Sequence, residues 1–204
     1  MHRYVQNHSR IEFIMGTRNF AVFFADIADS SSLYKHIGDE RAKDATSACL
    51  SQMMRIVERH AGTIIKTIGD ELMARFDSAD DAISAARSIE QQRSRDNDGK
   101  GVKLEVKIGV HFGPAILEND DLFGDVVNTA ARMVSIAKAE QIVVTHETVA
   151  ALSFVNRAHV QPFDYVKVKA FDKDVQLYLV NWREYDSLTV TVLSPDRHVA
   201  NIRN

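Results

Sequence analysis

The sequence predicts an α/β sandwich, in which a mainly antiparallel sheet carries helices on one or both of its faces. Three observations indicate this class. Short apolar runs alternate with longer stretches of helical periodicity, two of the runs flank a tight turn, and one run alternates strictly between apolar and polar residues. The 204 residues, of which 45% are hydrophobic and 26% charged, suffice for one domain with its own core.

A strand and a long helical region come first. Residues 20–25 are apolar without interruption, which is typical of a buried strand. Apolar residues then recur at helical spacing from Leu33 to His60. This spacing predicts one long helix, or two helices separated near Gly38.

A hairpin and a second helix follow. The strand-like runs 63–68 and 71–76 are separated only by Gly69-Asp70, a dipeptide typical of hairpin turns. Ser78 is placed to cap the next helix. One face of that helix is apolar and comprises Ala82, Ile83, Ala86 and Ile89.

The clearest strand pattern lies between residues 102 and 112, where apolar and polar residues alternate. Gly113-Pro114 is expected to end or kink this strand, and residues 118–124 are expected to form a loop. Shorter elements complete the chain. They are a helix over 125–139, a strand over 142–144, a short helix over 146–152, strands near 166–168 and 175–180, and a further strand over 188–193.

Composition argues against several classes of protein. The 25 basic and 28 acidic residues give a net charge of −3, without the basic excess expected for binding nucleic acid. The single cysteine, Cys49, rules out an internal disulfide and fits a reducing compartment. No apolar run approaches about 18 residues, so no membrane segment is expected. Residues 1–15 have no clear period and are interpreted as an arm or linker.

Two acids stand out by position. Asp26 ends the first apolar strand and Asp70 lies at the tip of the predicted hairpin. If the first strand lies beside the hairpin, the two carboxylates can converge, and a divalent cation such as Mg²⁺ or Mn²⁺ would remove their repulsion. From spacing alone, a helix-capping role for Asp26 and a turn-forming role for Asp70 are the favoured alternatives.

Three polar residues are further candidates. Lys66 shares a strand face with position 70, although an exposed lysine is the ordinary alternative. Asn128 and Arg132 lie four residues apart on a predicted helix, so they face the same way. An amide and a guanidinium on one face suit a sugar and a phosphate, whereas the alternative is a solvated helix face.

Five short motifs containing these residues resemble the catalytic domain of class III nucleotidyl cyclases, over about residues 20–180. Their order and spacing carry the resemblance. The motifs are Phe24-Ala25-Asp26-Ile27, Lys66-Thr67-Ile68-Gly69-Asp70, Gly109-Val110-His111-Phe112-Gly113, the segment from Asp121 to Arg132, and Val168-Lys169-Ala170-Phe171 with Tyr178 after it.

The resemblance implies a ferredoxin-like or palm-like sheet flanked by helices, with two Mg²⁺ or Mn²⁺ ions at the catalytic site. Asp26, Asp70 and the carbonyl of Ile27 would hold these metals. Lys66 would donate to a ring nitrogen of adenine, and Asp121 would accept from its 6-amino group. Guanine presents a carbonyl at that position, which an aspartate would repel, so ATP is the implied substrate.

The same resemblance implies the remaining substrate contacts. Asn128 would orient the ribose, Arg132 would stabilise charge on the α-phosphate, and Lys169 would bind the triphosphate. Ala170 stands where the family often has glycine.

The implied activity is that of an adenylate cyclase, which converts ATP to 3′,5′-cyclic AMP and pyrophosphate by in-line attack of the ribose 3′-oxygen. The family's sites are shared across a dimer, so a homodimer would form two complete sites. The alternatives are a guanylate cyclase and a catalytically silent cyclase-homology module.

The resemblance also divides the chain. Residues 1–15 would be an N-terminal arm or linker, residues 16–184 the catalytic domain, and residues 185–204 a C-terminal tail in which a further module could start. A cytoplasmic location is expected, either for the whole protein or for this domain of a longer chain that carries a regulatory domain.

Overall fold

The computed structural model of the chain describes residues 17–97, 102–167 and 174–183. Its strands are β1 (Arg18–Ile27), β2 (Thr63–Ile68), β3 (Glu71–Phe76), β4 (Val106–Glu118), β5 (Asp121–Phe123), β6 (Ile142–Thr145), β7 (Val160–Lys167) and β8 (Asp174–Val180). Its helices are α1 (Ser30–Ile37), α2 (Asp39–Arg59), α3 (Ala79–Asn97), α4 (Asp125–Ile136), α5 (His146–Ala151) and α6 (Phe154–Arg157).

Seven strands form one continuous sheet in the order β2-β3-β1-β4-β6-β8-β7, and β5 pairs with the outer end of β4. Among the described strands, only the β4–β6 pairing is parallel. The predicted α/β sandwich with a mainly antiparallel sheet is therefore confirmed.

The apolar run of β1 is explained by helices on both faces of the sheet. Phe23 and Ala25 pack into the cluster formed with α2 and α3, whereas Val22 and Phe24 pack into the cluster formed with α4. Because successive strand residues point to opposite faces, a strand covered on both sides needs apolar residues at every position.

Helix α4 lies directly on the backbone of β4 at Gly109. A Cβ atom at Gly109 would stand 2.8 Å from the carbonyl oxygen of Ala130, and nearer still to the backbone of Met133 and Val134. No side chain other than hydrogen fits there, so this glycine fixes the distance between helix and sheet.

Several predicted elements are confirmed in detail. The helical region breaks at Gly38, whose φ of 82° suits glycine, and so gives α1 and α2. Gly69 and Asp70 form the two-residue turn between β2 and β3. The Ser78 hydroxyl accepts the backbone N–H groups of Asp80 and Asp81 at 3.1 and 3.4 Å, which caps α3.

The prediction that β4 ends or kinks at Gly113-Pro114, before a loop at 118–124, is wrong. The strand continues to Glu118 and then returns as β5. Strand β6 pairs only with residues 108–110 of β4, so Pro114 removes no hydrogen bond on that side.

The later elements also differ from prediction. Helix α4 ends at Ile136 instead of residue 139, because Ala137 adopts an extended conformation. Helix α6 is too short to give a periodic pattern. Strand β7 begins at Val160, and Pro162 is tolerated because β7 is an edge strand. The predicted strand at 188–193 lies outside the described residues. Among the described helices, none is long and apolar enough to cross a membrane.

Candidate active site

Asp26 lies inside β1, one residue before the strand's end, and does not cap a helix. Its side chain points to the α4 face of the sheet, because Phe24, two residues earlier, packs in the α4 cluster. The N-cap position of α1 is held by Asp29, whose side chain makes no capping hydrogen bond. The capping alternative for Asp26 is therefore excluded, and its carboxylate lies at an end of the sheet.

A row of charged side chains crosses the sheet at Asp26. Glu71 of β3 and Lys107 of β4 are its register partners on either side. Lys107 Nζ forms an ion pair with Asp26 Oδ2 at 2.8 Å, and the two side chains are 25% and 21% exposed. Asp26 is therefore already paired with a cation of this chain.

Asp70 lies in the β2–β3 turn, immediately before Glu71. Strand β3 is hydrogen-bonded to β1, so the β2–β3 hairpin lies beside the first strand. This is the placement under which the sequence predicts that the carboxylates of Asp26 and Asp70 converge. Burial, followed by the neighbouring Asp26, raises the pKa of Glu71, and Asp70 acts in the same direction. The effect of both aspartates on one carboxyl group indicates an acidic corner of the sheet.

The donor chemistry of this corner fits a hard divalent cation. In the described part of the chain, no group of three or more His, Cys, Asp or Glu side chains is placed to hold one ion. The metal ligands predicted from the sequence at this corner are the carboxylates of Asp26 and Asp70 and the Ile27 carbonyl. Mg²⁺ characteristically binds through one or two carboxylates and keeps several waters or phosphate oxygens.

Lys66 and Asp121 are brought together by the β4–β5 hairpin. Lys66 Nζ donates to Asp121 Oδ1 at 2.9 Å and to Oδ2 at 2.6 Å. Lys66 is the register partner of Met73, a member of the α4 cluster, so it lies on the same sheet face as Asp26. The sequence placed Lys66 on one strand face with Asp70, but its bonded partner is Asp121.

The Asp121 carboxylate acts as a hydrogen-bond acceptor for a backbone group as well as for Lys66. Its Oδ1 also accepts the backbone N–H of Leu122 at 2.9 Å. The hydrogen bond from Lys66, followed by the bond from Leu122, lowers the pKa of the Asp121 carboxyl. The group is therefore ionised at neutral pH and presents only acceptor atoms.

Asn128 and Arg132 lie on the exposed side of α4, while Val126, Ala130 and Val134 face the sheet. Neither polar side chain makes a hydrogen bond or ion pair with another described residue. The helix therefore presents an amide and a guanidinium outward, with their hydrogen-bonding capacity unused by the rest of this part of the chain.

The two sets of candidates stay separate within one chain. No hydrogen bond or ion pair between described residues joins Asp26 or Asp70 to the pair on β2 and β5 or to the exposed side of α4. A cavity of about 410 Å³ lies under α4, lined in part by His111, Thr129 and Glu147, but none of the predicted site residues lines it.

His111 of the third motif has a structural contact. Its ring is buried, and Nδ1 lies 2.7 Å from the Thr145 hydroxyl oxygen on β6. Burial lowers the pKa of this histidine, which favours the neutral ring. Lys169, together with the rest of the closing motif at 168–171, lies outside the described residues.

Sequence reasoning missed Lys107 and Glu71. Lys107 occupies a polar position in the alternating strand, which a pattern alone interprets as a solvent-facing residue. Only the register of β1 against its two neighbours reveals that both residues flank Asp26.

Comparisons with known proteins show the family of the chain. The family model described as the adenylate and guanylate cyclase catalytic domain matches residues 14–182. The chain is 28% identical to an adenylate cyclase of Streptomyces coelicolor over 130 residues, which cover 64% of this chain and 33% of that protein. It is 30% identical to the photoactivated adenylate cyclase subunit alpha of Euglena gracilis over 186 residues, which cover 83% and 18%. The chain thus spans a third or less of these relatives.

A solved structure shows the same architecture. It is the catalytic core of a rhodopsin-guanylyl cyclase with converted specificity, in complex with ATPαS. The TM-score is 0.73 at 26% identity, and the match covers 81% of this chain and 96% of the other.

Proposed function

Because the chain belongs to the adenylate and guanylate cyclase catalytic domain family, we propose that it converts ATP to 3′,5′-cyclic AMP and pyrophosphate. The observation that carries the choice of ATP is the Lys66–Asp121 pair. An ionised Asp121 accepts the 6-amino group of adenine and repels the 6-carbonyl of guanine. Lys66, which Asp121 holds in place, donates to a ring nitrogen.

Asp26, Asp70 and the Ile27 carbonyl would hold two divalent cations, Mg²⁺ or Mn²⁺. When bound, such ions lower the pKa of a coordinated hydroxyl and stabilise negative charge on phosphate oxygens. The chain's acidic corner supplies the negative charge that attracts them, in register with the end of β1.

Asn128 and Arg132 would position and stabilise the reacting groups. The ribose 3′-oxygen loses its proton to solvent and attacks the α-phosphorus in line, and the bond to the bridging oxygen breaks as pyrophosphate leaves. Asn128 would hold the ribose in the attacking orientation. The planar guanidinium of Arg132 would stabilise the charge that develops on the α-phosphate, so its loss should lower kcat more than it changes KM.

A symmetric dimer would complete the site. Asn128 and Arg132 face outward without partners in the described part of the chain, and no described contact joins them to the acidic pair. In a two-fold dimer the acids of one protomer would face the base-reading pair and α4 of its partner, twice. This arrangement makes activity depend on protein concentration.

Product identification tests the proposal. Purified protein is incubated with Mn²⁺ and either ATP or GTP over a range of protein concentrations, and products are identified by chromatography and mass spectrometry. Cyclic AMP from ATP, with specific activity that rises on dimerisation, is expected. Cyclic GMP as the main product would overturn the ATP assignment. No cyclic product from a dimeric protein would favour a silent cyclase-homology module.

A further inference from the structure

We propose that Lys107 occupies the place of a cation at Asp26 and leaves when a divalent metal binds, so that this lysine sets the metal affinity of the site. The inference rests on the proposed metal-holding role of Asp26. It adds a residue that governs metal affinity and that the sequence motifs do not contain.

The contact is built into the sheet. Lys107 and Asp26 are direct register partners of β4 and β1, in the last pair but one of the longest pairing of the sheet. Both side chains are about four-fifths buried, and the Nζ to Oδ2 distance is 2.8 Å. Such a pair is less screened by solvent than the exposed ion pair of Lys103 with Glu105, where the lysine is 62% exposed.

A metal ion and the lysine compete for the same carboxylate. A divalent cation binds carboxylate oxygens at about 2.0–2.2 Å, closer than the ammonium of Lys107, and the two positive charges repel each other. The lysine ammonium sits on a flexible four-carbon stem, so it can swing away without a change in the strand.

The charge balance favours this exchange. Asp26, Asp70 and Glu71 bring three carboxyl groups to one end of the sheet, and Lys107 is the ammonium group paired there. Without metal, the lysine partly compensates for the acidic corner. When the metal is bound, its charge replaces that of Lys107 at Asp26. Breaking the Lys107–Asp26 ion pair costs free energy, and this cost offsets part of the attraction between the carboxylates and the metal.

Metal binding to the nucleotide-free protein tests the exchange. Binding of Mn²⁺ is followed by electron paramagnetic resonance of the free ion, in the wild type and in Lys107→Gln, Lys107→Arg, Asp26→Asn and the matched control Lys103→Gln. Lys107→Gln should bind Mn²⁺ about fivefold to tenfold more tightly, because one nearby positive charge is gone. Lys107→Arg should bind no more tightly than the wild type, and Lys103→Gln should stay within about twofold.

A second readout uses the unmodified sequence. Acetylation of lysines by acetic anhydride is mapped by mass spectrometry with and without Mn²⁺. Modification of Lys107 should rise several-fold when Mn²⁺ is present, while that of Lys103 stays constant. This measurement remains informative if a Lys107 variant fails to fold.

The outcomes separate the exchange from the metal assignment. Tighter binding by Lys107→Gln that disappears in the double variant with Asp26→Asn supports the exchange. Equal binding by the wild type and Lys107→Gln, lost in Asp26→Asn, overturns the exchange and leaves the metal site intact. Binding that Asp26→Asn does not change overturns the metal assignment itself. Absence of binding in both the wild type and Lys107→Gln also overturns the exchange, since the lysine would not be what excludes the ion.

Discussion

Lys66 and Asp121, which are 55 residues apart in sequence, are joined by two hydrogen bonds from one ammonium group to both carboxylate oxygens. The β4–β5 hairpin brings Asp121 to the strand that carries Lys66, and the backbone N–H of Leu122 donates a further hydrogen bond to the carboxylate. The donor and the acceptor proposed to read the base are thus positioned by each other before any nucleotide binds.

Exchanging this pair should change the preferred base. In Lys66→Glu/Asp121→Cys, the carboxylate accepts hydrogen bonds from guanine and the small thiol leaves room for its 6-carbonyl. The ratio of kcat/KM for GTP to that for ATP should rise by about 100-fold or more, since each unpaired buried polar group costs about 1–3 kcal/mol. Initial rates with each nucleotide measure this ratio, and an unchanged ratio would contradict the base-reading role.

Removal of Asp70 should abolish turnover through loss of a metal ligand. Asp70→Ala is expected to lose more activity than the about 10- to 100-fold typical for an outer-shell partner of a metal. Asp44→Asn, an exposed carboxylate on α2, is the control and should retain full activity. Near-wild-type rates for Asp70→Ala, measured with saturating Mn²⁺ and ATP, would contradict the metal assignment.

Two inactive variants should complement each other. Asp26→Ala removes a proposed metal ligand and Arg132→Ala removes the proposed phosphate contact, but in the proposed arrangement a mixed dimer contains one site with neither defect. Equal mixing should restore about a quarter of wild-type activity, because half of the dimers are mixed and each has one intact site of two. Co-purification through two different affinity tags establishes that chains have exchanged, and mixed dimers without activity would rule out a shared site.

Glu90 should make the free energy of unfolding depend on pH. This residue of α3 is 1% exposed, and neither carboxyl oxygen has a hydrogen-bond partner among the described residues. Burial, followed by the nearby Glu140, raises its pKa from 4.5 to about 8, while Arg183 acts in the opposite direction. The folded protein therefore keeps a proton that the unfolded chain releases.

The sign follows from this difference in bound protons. Stability should fall as the pH rises from about 4.5 to about 8, by up to about 1.4 kcal/mol per pH unit, and Glu90→Gln should remove that slope. At pH 8 the variant should be more stable than the wild type. Urea denaturation at several pH values measures both effects, with exposed Glu58→Gln as the control. The same slope in Glu90→Gln and the wild type would show that another group titrates.

The sequence predicted elements whose signal is local. The turn at Gly69-Asp70, the break at Gly38 and the cap at Ser78 each depend on a few neighbouring residues, and all three are present. Strand β5 was missed, because its three residues are too few to show a period. Strand β4 can continue past Pro114 because β6 pairs only with residues 108–110 and needs no hydrogen bond from Pro114. The sequence around Pro114 does not show where β6 pairs.

The candidate site residues also divide into features with a local sequence signal and contacts that depend on the fold. Asp26, Lys66, Asn128 and Arg132 were selected by motif, and the structure places them on a strand end, a hairpin and an exposed helix face. The contacts of Lys107 with Asp26 and of Lys66 with Asp121 connect segments far apart in sequence. Such pairs depend on strand register, so no periodicity could have predicted them.

The close approach of α4 to Gly109 has a mechanical consequence. At Gly109 no side chain separates helix and strand, and apolar side chains of α4 pack against β1, so Asn128 and Arg132 are held on the same packed unit as Asp26. In the proposed dimer, the gap between the metal-facing and phosphate-facing groups would then change only when one subunit turns against the other. A regulatory signal would then act by rotating one subunit relative to the other about the two-fold axis, while the interior of each subunit keeps its shape.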